Sequence, residues 1–211
     1  MRINKICFLL LLLFTARNGL AWDSVESFES AATNALDNVS VLVGNDFGYA
    51  LTNYIASTAD HESKMASLIV LGERELALYN ETMDEQHLND AWTIATNVCS
   101  LTQAETNSWY CWQANLLEFA CHAQNNEMQL AYAVSSNACS TAGSCTFVSS
   151  NIVSSALLKR NKISDLSLGQ SLLLSKALSA AMIGRKNEAT AIALSLPLKY
   201  QQMVSRAADD N

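Results

Sequence analysis

The sequence AWTIATNVCS at residues 91–100 recurs, with conservative changes, as AYAVSSNACS at residues 131–140. Four of the ten positions are identical, and Trp92 is replaced by Tyr132. The two copies are 40 residues apart, a spacing typical of proteins that stack one supersecondary unit on the next. The repeat therefore predicts a fold built from similar units.

Those units are predicted to be helical. The chain has 211 residues but only seven glycines and a single proline, Pro197, too few for the many turns of a β-sandwich or barrel. Apolar residues recur instead at three- and four-residue steps. We therefore predict an all-α fold of stacked antiparallel helical hairpins. The nine predicted helices cover residues 23–39, 41–58, 62–80, 88–100, 109–124, 128–139, 147–160, 165–183 and 187–203.

One predicted hairpin resembles a known family. The sequence KALSAAMIGRKNEATAIA at 176–193 resembles the middle of a tetratricopeptide-type repeat, with Ala177 and Ala189 at its small positions and Gly184 at its turn. The 91–140 unit departs from that family, because its period is 40 residues and Asn126 lies near the turn where glycine would be. The resemblance implies a right-handed stack of helical hairpins that binds protein or peptide on a concave face and has no catalytic residues.

The first 21 residues are predicted to be a signal peptide. Arg2 and Lys5 precede an apolar run from Ile6 to Phe14, and a cleavage position follows Ala21. The run is too short for a resident membrane helix, although an uncleaved, anchoring signal is the alternative. We therefore predict a periplasmic or secreted protein with no membrane span after signal removal.

The rest of the chain is predicted to form three parts. These are an N-terminal helical segment at 22–60, a helical-repeat domain at 61–206 and an acidic C-terminal tail at 207–211.

The charge of the chain argues against nucleic-acid binding. The net charge is −7, and no basic stripe supplies the affinity that nucleic acid requires. Residues 22–90 hold thirteen acidic residues against Lys64 and Arg74, whereas 151–206 is predominantly basic. This asymmetry is typical of a solvated surface, and it is also consistent with self-association between an acidic N-terminal half and a basic C-terminal half.

Five cysteines follow the predicted signal peptide, and an exported chain is expected to oxidise them. Cys99 and Cys111 flank one interhelical loop, and Cys139 and Cys145 flank another, which predicts two disulfides with Cys121 left as a buried thiol. The alternative joins Cys111 to Cys139 across an intervening turn. No Cys-x-x-Cys motif is present, so neither a thioredoxin-type site nor a zinc knuckle is predicted.

Metal binding is the main catalytic alternative that the residues offer. Asp84, His87 and Asp90 follow one another at three-residue steps, and one imidazole with two carboxylates could hold a divalent metal for a hydrolase. The same residues are more typical of a solvated first helical turn, where acidic residues are favoured. We predict no metal and no cofactor.

The other two histidines are predicted to be structural. His61 and Glu62 open a predicted helix and are expected to cap it. His122 follows Cys121, but adjacent residues on a helix point about 100° apart, so a catalytic pair is not predicted. Hydrolase, phosphate-loop and dinucleotide-binding motifs do not occur in the sequence.

Aromatic residues are predicted to form the core. Trp92, Trp109, Trp112, Phe119 and Tyr132 have helical spacing. The alternative is that they line a small-molecule or lipid cavity between helices.

These observations predict a non-enzymatic, exported scaffold or adaptor that binds protein partners, in a cell-envelope or secretion assembly. Two groups of residues are candidates for its partner surface. The first is Tyr110 and Gln113, on the side of their helix away from the tryptophans, and the second is the basic set Lys159, Arg160 and Lys162.

Overall fold

The computed structural model describes Ala32 and residues 34–36, 38–102, 109–141 and 166–210. From residue 38 onwards the described ranges contain nine helices, residues 34–36 are helical as well, and none of the described residues forms a β-strand, which confirms the predicted all-α class. We number the helices in chain order: α1 Val39–Leu42, α2 Asn45–Ser57, α3 His61–Thr82, α4 Glu85–Thr102, α5 Trp109–Gln124, α6 Met128–Thr141, α7 Leu168–Met182, α8 Lys186–Ala193 and α9 Leu198–Asp209. The predicted signal peptide and the predicted helix at 147–160 lie outside the described residues.

The longer helices pack in two rows. Helices α3, α5, α7 and α9 form a main row in which each helix contacts the next. Helices α4, α6 and α8 form a bridging row: α4 packs on α3 and α5, α6 on α5 and α7, and α8 on α7 and α9. Each bridging helix therefore lies against two neighbours of the main row.

This arrangement explains why the sequence of α4 recurs in α6. Ala91 and its counterpart Ala131 are both fully buried, and so are Ala95 and its counterpart Ser135. Small residues at these positions let each bridging helix approach the main row closely. The Ser135 hydroxyl donates to the Ala131 carbonyl, so its burial leaves no unpaired donor.

The hairpin turns use residues with a left-handed backbone. Met83, Asn126 and Gly184 have φ angles of 59°, 61° and 81°, and they follow α3, α5 and α7. Glycine adopts this conformation without steric cost, and asparagine tolerates it better than most residues. Gly184 thus has the turn conformation that its position in the sequence predicted, and Asn126 replaces glycine at the preceding turn.

The N-terminal segment is part of the main core. Leu36, Phe47 and Leu51 are buried in one cluster with Met65 and Ile69 of α3. Gly48 allows this approach, since a Cβ atom there would lie 2.6 Å from the Arg74 guanidinium. The predicted boundary at residue 60 is therefore a helix boundary and does not separate two cores.

Two of the predicted helices are interrupted. The helix predicted at 41–58 is broken at Gly44, which caps the N-terminus of α2. The helix predicted at 187–203 is broken between Ala193 and Leu198, where Pro197 caps α9. Proline lacks the N–H that a continuous helix needs, and its ring clashes with the preceding turn. The helix therefore ends before Pro197, although the apolar periodicity of the sequence continues past it.

The predicted C-terminal tail begins too early. Helix α9 continues to Asp209, and Ala207 and Ala208 are buried against the rest of the molecule. Their small apolar side chains complete the inner face of α9. Among the helices that the structure describes, none is both long and apolar enough to cross a membrane.

Candidate functional site

Two thiols meet where α4 leads into α5. Cys99 lies in the last turn of α4, and Cys111 is the third residue of α5. Their sulfur atoms are 3.4 Å apart, and both side chains are partly exposed. The packing of α5 on α4 therefore brings together two cysteines that are twelve residues apart in the sequence.

The surroundings of the two thiols differ. The Asn115 amide donates to the Cys111 carbonyl at 2.7 Å and also lies 3.4 Å from the Cys111 sulfur. The hydrogen bond from Cys99 lowers the pKa of Cys111 to about 6, against the opposing effect of burial. The same bond and burial raise the pKa of Cys99 well above its usual range. Cys111 is thus the member of the pair that ionises first, and the thiolate is the nucleophilic form of cysteine.

The contact bears on the predicted disulfides. All four described cysteines are free thiols in this structure, and the contact between Cys99 and Cys111 favours their pairing over the alternative of Cys111 with Cys139. Cys121 is buried, and burial raises its pKa to about 12, which makes it an unreactive thiol. Cys145 lies outside the described residues, so its pairing with Cys139 remains a prediction.

Asp84, His87 and Asp90, the set weighed as an alternative to a solvated helical turn, are not brought together with one another. Asp84 accepts a hydrogen bond from the Gln86 backbone N–H at the start of α4, as a helix cap does. Glu75 of α3 takes its place: Glu75, His87 and Asp90 each offer a ligand atom within 4.8 Å of the others. Glu75 comes from the neighbouring helix, so spacing within α4 alone did not reveal it.

The Glu75 carboxylate already has two partners. Its Oε1 atom is 2.7 Å from the Arg74 guanidinium, and its Oε2 atom is 2.7 Å from His87 Nδ1. Because the Glu75 side chain is largely buried, these partners offset the desolvation of its charge. We interpret the cluster as a polar network in which the hydrogen bond between Glu75 and His87 joins α3 to α4.

The other two histidines have structural surroundings. Asp60, rather than His61 or Glu62, caps α3: its carboxylate accepts from the Ser63 N–H at 2.7 Å. His122 Nδ1 lies 2.8 Å from Glu127, and His122 Nε2 lies 3.7 Å from Glu118. The His122 ring therefore contacts carboxylates at both nitrogen atoms.

The first predicted partner surface is wrong. Tyr110 and Gln113 are only 7% and 6% exposed. Helix α5 contacts α3, α4, α6 and α7, so the side facing away from the tryptophans is covered as well. The second candidate set, Lys159, Arg160 and Lys162, lies outside the described residues.

The aromatic residues do not line one site. Trp109 and Trp112 are buried in the core that also contains the N-terminal segment, and Phe119 is buried in a separate cluster with Met128. Tyr132 packs at the edge of the core around α7. Trp92 was expected in the core, but it is 43% exposed, because it lies on the side of α4 that faces away from the main row.

A polar cluster around Tyr132 was not anticipated. The Tyr132 hydroxyl donates to Glu188 at 2.7 Å and accepts from Arg185 at 3.0 Å. The Arg185 guanidinium also lies 4.5 Å from the centre of the Tyr132 ring, and Lys176 lies 3.6 Å from Glu188. The hydrogen bond from Tyr132 and the nearby cations lower the pKa of Glu188. This cluster links α6, α7 and α8, and the three helices are too far apart in the sequence for spacing to have predicted it.

No family model, curated protein or solved structure matches this chain. The residues described above are therefore the basis for the function proposed below.

Proposed function

We propose that this protein is an exported, non-enzymatic helical scaffold that binds a protein partner through its bridging helices. The supporting observation is that α4, α6 and α8 each pack on the main row with one side and carry exposed apolar residues on another. Trp92 and Leu101 of α4, Leu130 of α6, and Leu194 at the end of α8 are between 43% and 71% exposed. Exposed large apolar residues are common where proteins associate.

The part of the bridging surface formed by α4 and α6 is also poor in charge, whereas α8 carries Lys186 and Glu188. From Ala91 to its end, α4 contains no charged residue, and α6 contains none at all. Protein interfaces are depleted of charged residues at their centres and enriched in aromatic side chains such as Trp92. A partner with an apolar, weakly charged surface fits this composition better than a nucleic acid or an acidic peptide.

The described residues offer little support for catalysis. The thiol pair contains a nucleophile, but the groups that hydrogen-bond to Cys111 besides Cys99, the Thr102 hydroxyl and the Asn115 amide, are not groups that act as a general base at neutral pH. The Glu75 carboxylate is already paired with the Arg74 guanidinium and hydrogen-bonded to His87. A scaffold needs no such machinery, only a rigid stack with an accessible surface.

Site-specific photo-crosslinking in the cells that produce the protein tests this proposal. A photoreactive amino acid replaces Trp92 or Leu130 on the bridging helices, and Ser205, an exposed residue of α9, in the control. We expect one discrete protein adduct from the first two positions and none from Ser205.

The identified partner is then purified and titrated against the wild-type chain and against Trp92→Ala. Loss of an interface anchor is expected to weaken binding about tenfold or more. Equal binding by the variant would overturn the proposed surface. Adducts to lipid alone, or crosslinking from Ser205 but not from the bridging helices, would overturn the scaffold function.

A further inference from the structure

We propose that Cys111 is the reactive thiol of the pair, which attacks an external disulfide, and that Cys99 then displaces the bound group to form the Cys99–Cys111 disulfide. The external reactant is a disulfide-bearing oxidant, either a small molecule such as oxidised glutathione or the active-site disulfide of an oxidising protein. This inference concerns the chemistry of the folded chain and does not depend on the proposed partner surface.

Position on the helices distinguishes the two thiols. Cys111 lies in the first turn of α5, where backbone N–H groups point towards the helix N-terminus and stabilise a thiolate. Cys99 lies in the last turn of α4, where carbonyl groups have the opposite effect, and its thiol faces the Cys111 carbonyl at 3.6 Å. The Asn115 amide is a further hydrogen-bond donor near the Cys111 sulfur.

The reaction proceeds in two balanced steps. The Cys111 thiolate attacks one sulfur of the oxidant, forming a mixed disulfide and releasing the other half as a thiolate. Cys99 then loses its proton and attacks the Cys111 sulfur, breaking the mixed disulfide and releasing the second thiolate. The chain loses two protons and two electrons, and the oxidant takes them up as two thiols.

The first step favours the second. The interaction with Cys111 is the largest cause of the raised pKa of Cys99. Once Cys111 is in a mixed disulfide it no longer carries a negative charge, so that cause disappears and Cys99 ionises more readily. The contact of 3.4 Å between the two sulfur atoms then makes this displacement intramolecular, and such reactions are fast.

Two serine variants of the reduced, folded protein test the assignment. Cys99→Ser keeps a hydroxyl beside Cys111 but cannot complete the second step, so oxidised glutathione should accumulate as a stable mixed disulfide at Cys111. Cys111→Ser leaves Cys99 without the favourable helix position, and its modification should be about tenfold slower or more. Peptide mass spectrometry locates the adduct, and equal circular dichroism spectra show that both variants are folded.

The pH profile of the Cys99→Ser variant is a second readout. Because the helix position and the Asn115 amide, which stabilise the Cys111 thiolate, are kept in this variant, its rate of modification should level off at a lower pH than that of an ordinary thiol, which becomes more reactive up to about pH 9. Faster modification of Cys99 in Cys111→Ser than of Cys111 in Cys99→Ser would reverse the assignment. Equal rates with an ordinary profile in both variants would also overturn it.

Discussion

Gly72 lies at a point of close contact between α3 and α5. A Cβ atom at this position would collide with Leu117 Cδ2 and would lie 3.3 Å from Ile94 Cγ2. Leu117 is buried in a core cluster, so little room is available for its side chain to move. Glycine here serves the packing of two helices, although glycine in a helix is otherwise unfavourable.

Replacing Gly72 by alanine is therefore expected to destabilise the protein by about 1–3 kcal/mol, because overpacking outweighs the gain in helix propensity. Gly169→Ala in α7 is the matched control, since its new Cβ would meet only Ser167 Oγ at 4.0 Å. That control should be neutral or slightly stabilising. Urea unfolding of both variants measures the difference, and a Gly72→Ala protein as stable as Gly169→Ala would contradict the described packing.

Glu188 links stability to pH through its bonds to Tyr132 and Arg185. Its pKa is lowered in the folded chain, so the charged form stabilises the fold. This contribution is complete above the ordinary pKa of about 4.5. It is lost as the pH falls further, through the lowered pKa of the folded state.

The Glu188→Gln variant should consequently melt a few degrees below the wild type at neutral pH, and this deficit should shrink below about pH 4.5. Thermal melts between pH 3 and pH 7 provide the test. Glu81→Gln, at an exposed position of α3, is the control. A Glu188→Gln deficit that is the same at every pH would show that the ionised form of Glu188 has no special role.

At the scale of the helices, two tryptophans differ in how far their side chains are exposed. Trp112 of α5 is 5% exposed, whereas Trp92 of α4 is 43% exposed. Helical spacing alone predicted both in the core. The difference arises because α5 lies between four other helices, while α4 packs on only two helices of the main row.

We expect Trp112→Ala to cost about 3–5 kcal/mol of unfolding free energy, as for other large-to-small changes in a core. Trp92→Ala should cost about 1 kcal/mol or less, since an exposed side chain loses little burial. Chemical denaturation followed by circular dichroism compares the two. Similar losses for both variants would place Trp92 in the core after all.

Much of the helical pattern could be predicted from the sequence, and tertiary packing explains the rest. The C-terminal bound of α5 agrees with the prediction, because its closing asparagines, Asn125 and Asn126, are a strong local signal. The breaks at Gly44 and Pro197 were missed because apolar periodicity runs across them. Tyr110 and Gln113 were misplaced because the number of neighbours around a helix is not a property of its own sequence.

In the candidate site, too, some contacts could be predicted from the sequence and others could not. The Cys99–Cys111 contact could be predicted, because the two residues flank one loop and hairpin geometry brings them together. Glu75 beside His87 and Glu188 beside Tyr132 could not be predicted, because each pair joins different helices whose register depends on the whole packing arrangement.

At the scale of the whole molecule, the two rows form one stack whose last helix is α9. The inner side of α9 is buried through Tyr200 and Val204, whereas Gln202 and Ser205 are exposed. The outer side of α9 is therefore largely polar towards its C-terminal end, whereas α4 and α6 carry exposed apolar residues and little charge.

The most direct test of an exported scaffold is mass spectrometry of the protein isolated from the cells that produce it. The intact mass is measured under native and denaturing conditions, and thiols are alkylated before and after reduction. We predict a chain that begins at Trp22, a Cys99–Cys111 disulfide, a bound protein and no small ligand. A chain that retains residues 1–21 with free thiols at Cys99 and Cys111, or a stoichiometric lipid or metal ion, would contradict the account.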